Sequence, residues 1–372
     1  MGRPRQGVLS TYPAQMVEHI KQLRQGHSGW GAQTLLVELE ERYFYSPKEL
    51  PSIDSVNRYL KQEGFVQAYE PHGILPRPKC PQAETAHELW EMDAQGAVKL
   101  AGLGWMATIN IKDSLSKKYC MSFPVPVKHG RCQPATRHYQ YACRLAFEES
   151  GMPIAIQVDK DSVFFENTTK SPFPTRYHLW LIALGIKLCI IEVSPPRKQA
   201  MVERAHQTIE KQALQGQSHE CWKHLFRHCN ERRERLNTRI PCRSLNKQAP
   251  LEAFPEAIHS NRAYSMKTEQ GLISLERIYQ YLAGGKWYRR VSKDRTVSLG
   301  AKVYYLKDAV PRSQVQVTFC AQSRQFIFRD VNERFLAERS PKGLSKEELI
   351  GASFKELNAM KYKLNHYRGF TL

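Results

Sequence analysis

The chain runs to 372 residues, too many for one compact core, and its 41% hydrophobic content excludes wholesale disorder. Its 55 Lys+Arg against 36 Asp+Glu give a formal charge of +19, a field that draws in polyanions, of which nucleic acid is the commonest large one. No apolar run reaches the ~18 residues a membrane span needs, no apolar signal segment opens the chain, and the nine scattered cysteines suit reduced cytosolic thiols rather than a disulfide frame.

Residues 1–68 read as three short helices. Met16, Val17, Ile20 and Leu23 give a helical period over Pro13–Gly26, and Leu35, Leu36 and Leu39 repeat it over Gly29–Arg42. A third helix is predicted from an N-cap at Ser52 to Gly64, with Ile53, Val56 and Leu60 inward. Short helices with tight connections describe a helix-turn-helix domain whose last helix enters the major groove, leaving Ser55, Asn57, Arg58 and Lys61 to face DNA. A structural bundle with a solvated face is the plainer alternative. Residues 69–86 form a proline-rich linker carrying Pro71, Pro76, Pro78 and Pro81.

The middle segment, 87–258, alternates strands and helices. An apolar strand leads to Asp93, and strands at Trp105–Ile111 and Tyr119–Val125 flank a turn at Lys112–Lys118. A helix is expected over Arg131–Ser150, a strand over Ile154–Val158, a helix over Tyr177–Leu184 and a strand over Ile186–Ile191. Ser194-Pro195-Pro196 then opens a long helix. This order indicates a mixed α/β sheet with helices on its faces. Residues 263–340 change character. Val315, Val317 and Phe319, then Phe326 and Phe328, alternate with polar residues, predicting a small all-β barrel. Its basic residues include Lys286, Arg289 and Arg290, with Trp287, Tyr288, Tyr304 and Tyr305 among them, a mixture suited to phosphate contact and stacking. Residues 341–372 form a basic tail.

Phosphodiester chemistry without a covalent protein intermediate needs two hard cations ~4 Å apart, held by oxygen ligands. Carboxylates on different elements must therefore converge. Asp93 closes the apolar strand Leu89-Trp90-Glu91-Met92-Asp93, Asp159 closes Ile154–Val158, and Glu203 stands on the helix after Pro195-Pro196. There Val202, Ala205, Ile209 and Ala213 make the buried stripe, with Glu203 about 100° round from Val202. Placement alone leaves a metal site and three solvated carboxylates both open.

The stretches Ile156-Gln157-Val158-Asp159-Lys160-Asp161-Ser162-Val163-Phe164, Leu184-Gly185-Ile186 and Ser194-Pro195-Pro196-Arg197-Lys198-Gln199-Ala200-Met201-Val202-Glu203-Arg204 resemble the retroviral-integrase-type catalytic domain of bacterial insertion-sequence transposases. Trp90-Glu91-Met92-Asp93 is similar to that family's first-aspartate strand, and Ile111-Lys112-Asp113-Ser114-Leu115-Ser116-Lys117 to the turn of its next hairpin. Leu236-Asn237-Thr238-Arg239-Ile240-Pro241 and Ala249-Pro250-Leu251-Glu252-Ala253-Phe254 are similar to its ending. The resemblance covers 87–258. It implies a ribonuclease-H-like core, a DDE triad of Asp93, Asp159 and Glu203, and two Mg²⁺ ions with Mn²⁺ able to substitute. It further implies double-stranded DNA as substrate, a homo-oligomer assembled on that DNA, an accessory ATPase or target-selection protein, and a cytoplasmic, nucleoid-associated location. Arg197, Lys198, Gln199 and Arg204 surround Glu203 and are placed to hold phosphates, or to solvate a helix start.

Two departures stand out. Lys160-Asp161 follows the second aspartate where the family has Asn-Gly, and Glu203 follows Asp159 by 44 positions (203 − 159), longer than the family's usual interval. The surplus falls in Glu166–Thr175, as an extended loop. Both departures keep open a catalytically inactive, domesticated regulator that binds DNA. A plain ribonuclease-H-like nuclease would need neither the helix-turn-helix nor the basic barrel, and a tyrosine recombinase is a further rival, because His224-Leu225-Phe226-Arg227-His228 mimics a His-x-x-Arg-His box with Tyr264 downstream. A simpler reading makes those five residues part of a helix over Ser218–Leu236. His219, Cys221, His224, His228 and Cys229 lack the paired spacing of a zinc site.

Overall fold

A computed structural model describes residues 7–66, 82–128, 133–191, 206–214 and 218–351. The first unit is three helices, α1 (Ala14–Gly26), α2 (Ala32–Tyr43) and α3 (Ile53–Gln62). Met16, Ile20, Leu23, Trp30, Leu35, Leu39, Val56 and Leu60 close one small core between them. Ser52 caps α3 by accepting from the Ser55 amide, which satisfies one of the helix's free N–H groups.

The central sheet has five strands: β1 (Leu89–Leu100), β2 (Gly104–Asp113), β3 (Tyr119–Pro126), β4 (Ala155–Val158) and β5 (Lys187–Ile190). Their spatial order is β3-β2-β1-β4-β5, with β1, β2 and β3 antiparallel and β4 and β5 parallel to β1. This is the mixed α/β sheet that the alternation of elements predicts. The β2–β3 turn is held by Asp113, which is buried and accepts from the Ser116 amide and hydroxyl and from the His87 amide. Helices α4 (Thr136–Ser150) and α5 (Arg176–Leu184) cover the sheet face that carries Trp90 and Met92, through Cys143, Phe147 and Tyr177.

Helix α6 (Trp222–Thr238) solves a different problem. The edge of β3 would leave backbone groups unpaired, and an open edge invites unwanted strand pairing. Side chains of α6 occupy it: Trp222 donates to the Pro124 carbonyl, Asn230 to Ser122, and Arg233 to Tyr119 and Cys120. Asn237 both accepts from the Tyr119 amide and donates to its carbonyl.

The three-helix unit is docked on this core. Trp30 donates to the Gln212 carbonyl, Gln212 donates to Thr34, and Glu38 is fully buried among Arg42, Arg232 and Arg235. Gly29 lies so close to the backbone at Lys211 that a Cβ there would come within 2.4 Å of its carbonyl oxygen.

The C-terminal β unit follows helix α7 (Leu275–Ala283). Its strands are β6 (Lys286–Arg290), β7 (Thr296–Leu299), β8 (Lys302–Tyr305), β9 (Gln314–Cys320), β10 (Gln325–Arg329) and β11 (Phe335–Arg339). They form a four-stranded antiparallel sheet, β11-β10-β9-β6, and a separate β7-β8 ribbon, so among the described residues the hydrogen bonding does not run round as one closed barrel. Tyr304 of the ribbon packs on Phe326 and Phe328 of the larger sheet and closes the core between them. Short helix α8 (Lys346–Ile350) ends the described chain. Among the described residues, no helix is long and apolar enough to cross a membrane.

Candidate active site

Asp93 is not at a strand end, as the sequence suggests, but in the middle of β1, which continues to Leu100 through a bulge between Gln95 and Val98. Asp159 does end its strand, immediately after β4. The parallel β1–β4 ladder pairs Glu91 with Gln157. Asp93 stands two positions beyond Glu91, on its face of β1, and Asp159 two beyond Gln157, just past the end of β4, where it feels the Asp93 charge. The two halves of the candidate site are thus brought together by the pairing of β1 with β4 rather than by matching strand ends.

Electrostatics agrees with that placement. Burial, then the charges of Asp93 and Asp161, push the Asp159 carboxyl up to about 6. Tyr139, reaching in from α4, is held well above the ordinary phenol range by burial and then by Asp161, Asp93 and Asp159. Three carboxylates therefore bear on one region. Asp161 itself is spent locally, accepting from the Val163 amide, the Ser162 hydroxyl and Gln133. The Lys160 ammonium lies over the Phe165 ring, 4.7 Å from its centroid.

Hard oxygen donors that repel one another suit a divalent cation, which would relieve the repulsion. Glu203, and with it Arg197, Lys198, Gln199, Arg204, Val202 and Ala205, lies outside the described residues. Ile209 and Ala213, the described half of the predicted stripe, are fully buried. Among the described residues, no three His, Cys, Asp or Glu side chains stand together as a metal-binding group.

Sequence reasoning missed His206. Its Nε2 lies 3.2 Å from Asp93 Oδ2 and its Nδ1 2.7 Å from Asn110 Nδ2. Nearby, Gln95 donates to Glu210, tying β1 to the helical stretch 206–214. The signal was available. His206 follows Glu203 by three residues, which on a helix is the same face, and Asn110 is a lone amide inside an apolar strand.

The predicted DNA-facing residues divide. Asn57, Arg58 and Lys61 are exposed on α3, while Ser55 is half-buried and hydrogen-bonded to Ser52. On β6, Lys286 and Arg290 point outward with Tyr288. Arg289 does not. Strand alternation puts it inside with Trp287, 7% exposed, where it donates to Glu166, Ser171 and Tyr288.

Neither rival site assembles. Tyr264 is buried against Phe147 with its phenol pushed far above the ordinary range by burial, which is unfavourable for a nucleophile that must meet DNA. His224 and His228 lie on α6, the helix that covers the β3 edge. Burial depresses His228 to about 4, and the His219 and His228 rings lie 5.5 Å apart. The seven described cysteines are free.

No family model matches the sequence. Among solved structures, the chain is similar to the HTLV-2 integrase catalytic core in complex with magnesium, at 12% identity and a TM-score of 0.34 over 46% of this chain and 99% of that one. The BIV integrase core gives 16% identity and a TM-score of 0.32, over 46% and 95%. A simian T-cell lymphotropic virus intasome, in complex with the PP2A regulatory subunit B56 gamma, gives 9% and 0.38, over 82% and 99%. None of these likenesses is close enough to carry a functional assignment.

Proposed function

We propose that this chain is a DNA transposase with a ribonuclease-H-like core, in which Asp93, Asp159 and Glu203 hold two Mg²⁺ ions. The observation that carries the reading is the placement of Asp93 on β1 and Asp159 just past the paired strand β4, with the Asp159 carboxyl raised by burial and by its acidic neighbours. Bound there, the cations would supply Lewis-acid polarisation of a phosphodiester. The chain's own groups position the rest. The Ala94 amide and His206 fix the Asp93 carboxylate at its two oxygens. The packed helices on the other face hold β1 and β4 in register. Water attacks a phosphorus at the element's end, the P–O bond to the leaving strand breaks, and a 3′-hydroxyl is freed. That hydroxyl then attacks a target phosphodiester, and the target's own 3′-oxygen leaves with a proton.

Asn57, Arg58 and Lys61 would read the element's end as a helix-turn-helix, and Lys286 and Arg290 would grip phosphates from the β unit. Arg197, Lys198, Gln199 and Arg204 would hold the reacting backbone. Two ends must be joined together, so the working form is an oligomer assembled on DNA, with an accessory ATPase or target-selection protein as a further partner. A labelled duplex carrying the element's terminal sequence tests this in Mg²⁺. Joined product that Asp93→Asn abolishes supports the reading. Binding without cleavage under any divalent ion favours a regulator, the alternative raised by Lys160-Asp161.

A further inference from the structure

Three polar side chains lie in one row across three neighbouring strands of the sheet. Asp93 on β1 is the register partner of Asn110 on β2, and Asn110 is the partner of Ser122 on β3. Asn110 and Ser122 are completely buried. Burying two such groups is costly unless each is satisfied, and here they satisfy one another in a fixed sense. The Ser122 hydroxyl donates to Asn110 Oδ1 at 2.6 Å, which places the amide's Nδ2 on the side of His206. Nδ2 can only donate, so the ring nitrogen it meets at 2.7 Å, His206 Nδ1, must accept. The imidazole proton then sits on Nε2, which donates to Asp93 Oδ2 at 3.2 Å. The other Asp93 oxygen accepts from the Ala94 amide at 2.8 Å.

We infer that His206 is a positioning residue for Asp93, held in its Nε2–H tautomer by the Ser122–Asn110 pair so that the carboxylate is presented to a cation in one orientation. The inference rests on the metal-site reading of Asp93. A carboxylate oxygen that accepts one hydrogen bond keeps a lone pair for a cation, whereas a freely rotating carboxylate must be ordered when the cation binds. In the opposite tautomer, an Nε2 lone pair would face a carboxylate oxygen, and Asn110 Nδ2 would meet an N–H. The polar row makes that state unfavourable.

The test is Mn²⁺ binding to the full-length protein without DNA, read by paramagnetic resonance of the free ion, with thermal unfolding as the check of folding. Asp93→Asn reports on the metal site itself. His206→Phe keeps a ring but no donor, and His206→Gln keeps an acceptor for Asn110 and a donor for Asp93. The expected result is weaker Mn²⁺ binding in Asp93→Asn, a loss of about 10- to 100-fold in His206→Phe, and recovery of most of that loss in His206→Gln. A folded His206→Phe that binds as the wild type does, while Asp93→Asn is weakened, overturns the inference and leaves the metal site standing. His206→Gln as weak as His206→Phe also overturns it, because the ring and not the donated proton then matters. Asp93→Asn binding as the wild type does overturns both readings. Should His206→Phe not fold, Asn110→Ala replaces it, since it leaves His206 in place and removes the donor that fixes its tautomer. An unchanged affinity in that variant overturns the inference in the same way.

Discussion

Glu38 of α2 accepts from Arg232 of α6 at 2.6 Å, with the carboxylate fully buried and the guanidinium 3% exposed. Burial pushes this carboxyl up. The hydrogen bond from Arg232 and the charges of Arg232, Arg42 and Arg235 outweigh that and hold it below the ordinary carboxylate range. The pair joins the three-helix unit to the mixed-sheet core, and the Arg232 guanidinium also lies over the Trp30 ring. The unit that would read DNA is therefore fixed against the helix that caps the sheet edge.

Removing one partner of a buried pair leaves the other charge uncompensated. Glu38→Gln is expected to destabilise the docked state by about 3–5 kcal/mol. Amide hydrogen exchange should show lost protection in α2 and at the Trp30–Gln212 contact, with the β1–β4 ladder retained. Unchanged exchange in α2 would mean that apolar contact alone holds the unit.

Phe173, in the loop after Asp159, is buried between Trp287 and Phe326 of the β unit, and Glu166 of the same loop pairs with Arg289. Phe173→Ala removes the ring from that junction and should cost about 3 kcal/mol in thermal or denaturant unfolding. Arg289→Ala should lower stability too, because it strands Glu166. It should leave the salt dependence of DNA binding unchanged.

Lys286 and Arg290 behave in the opposite way. Each is exposed, so alanine should leave unfolding unchanged and reduce the slope of log K against log salt by about one per residue, measured on a nonspecific duplex. A slope unchanged in the double variant places the DNA elsewhere.

Asp159 makes the cation-free protein sensitive to pH. Its folded-state value, about 6, lies above the ordinary aspartate value of 3.8, so the group favours the fold when protonated. Its contribution is complete below about 3.8 and is lost as pH rises through about 6. Asp159→Asn should therefore raise the melting temperature of the cation-free protein at pH 8 and leave it nearly unchanged at pH 3.5. Adding Mg²⁺ at pH 8 should raise the wild-type value and not that of Asp159→Asn, and chelation should reverse the gain. Mn²⁺ affinity should fall as pH drops below about 6, where a proton competes for Asp159.

Much of the fold was legible because its signals are local. Apolar runs located β1 to β5, the cap at Ser52 located α3, and period-two alternation located β9 and β10. What required the folded chain was pairing. That Asp93 comes near Asp159 follows from the pairing of β1 with β4, which no single strand encodes. Asp93 was expected at a strand end because the apolar run stops there. Beyond it the small residues Ala94, Gly96 and Ala97, with Gln95 and Lys99 among them, interrupt the apolar run, while β1 continues on the ladder with β2 to Leu100. Arg289 was grouped with its basic neighbours by charge, although alternation along Lys286–Arg290 already separates it from them. The loop at Glu166–Thr175 could be placed as surplus sequence. Its docking on Trp287 and Phe326 depends on contacts more than 100 residues apart, beyond any periodicity. His206 is hard to find from sequence because Asn110, which it meets, and Ser122, which bonds Asn110, look like incidental polar residues until the strands are aligned.

Strand transfer in Mg²⁺, using a labelled duplex with the element's own terminal sequence and comparing wild type with Glu203→Gln, tests the proposed three-carboxylate site most directly. Joined product from the wild type alone is the expected result, since the proposed site takes its third carboxylate from Glu203. Equal joining by Glu203→Gln would contradict the account.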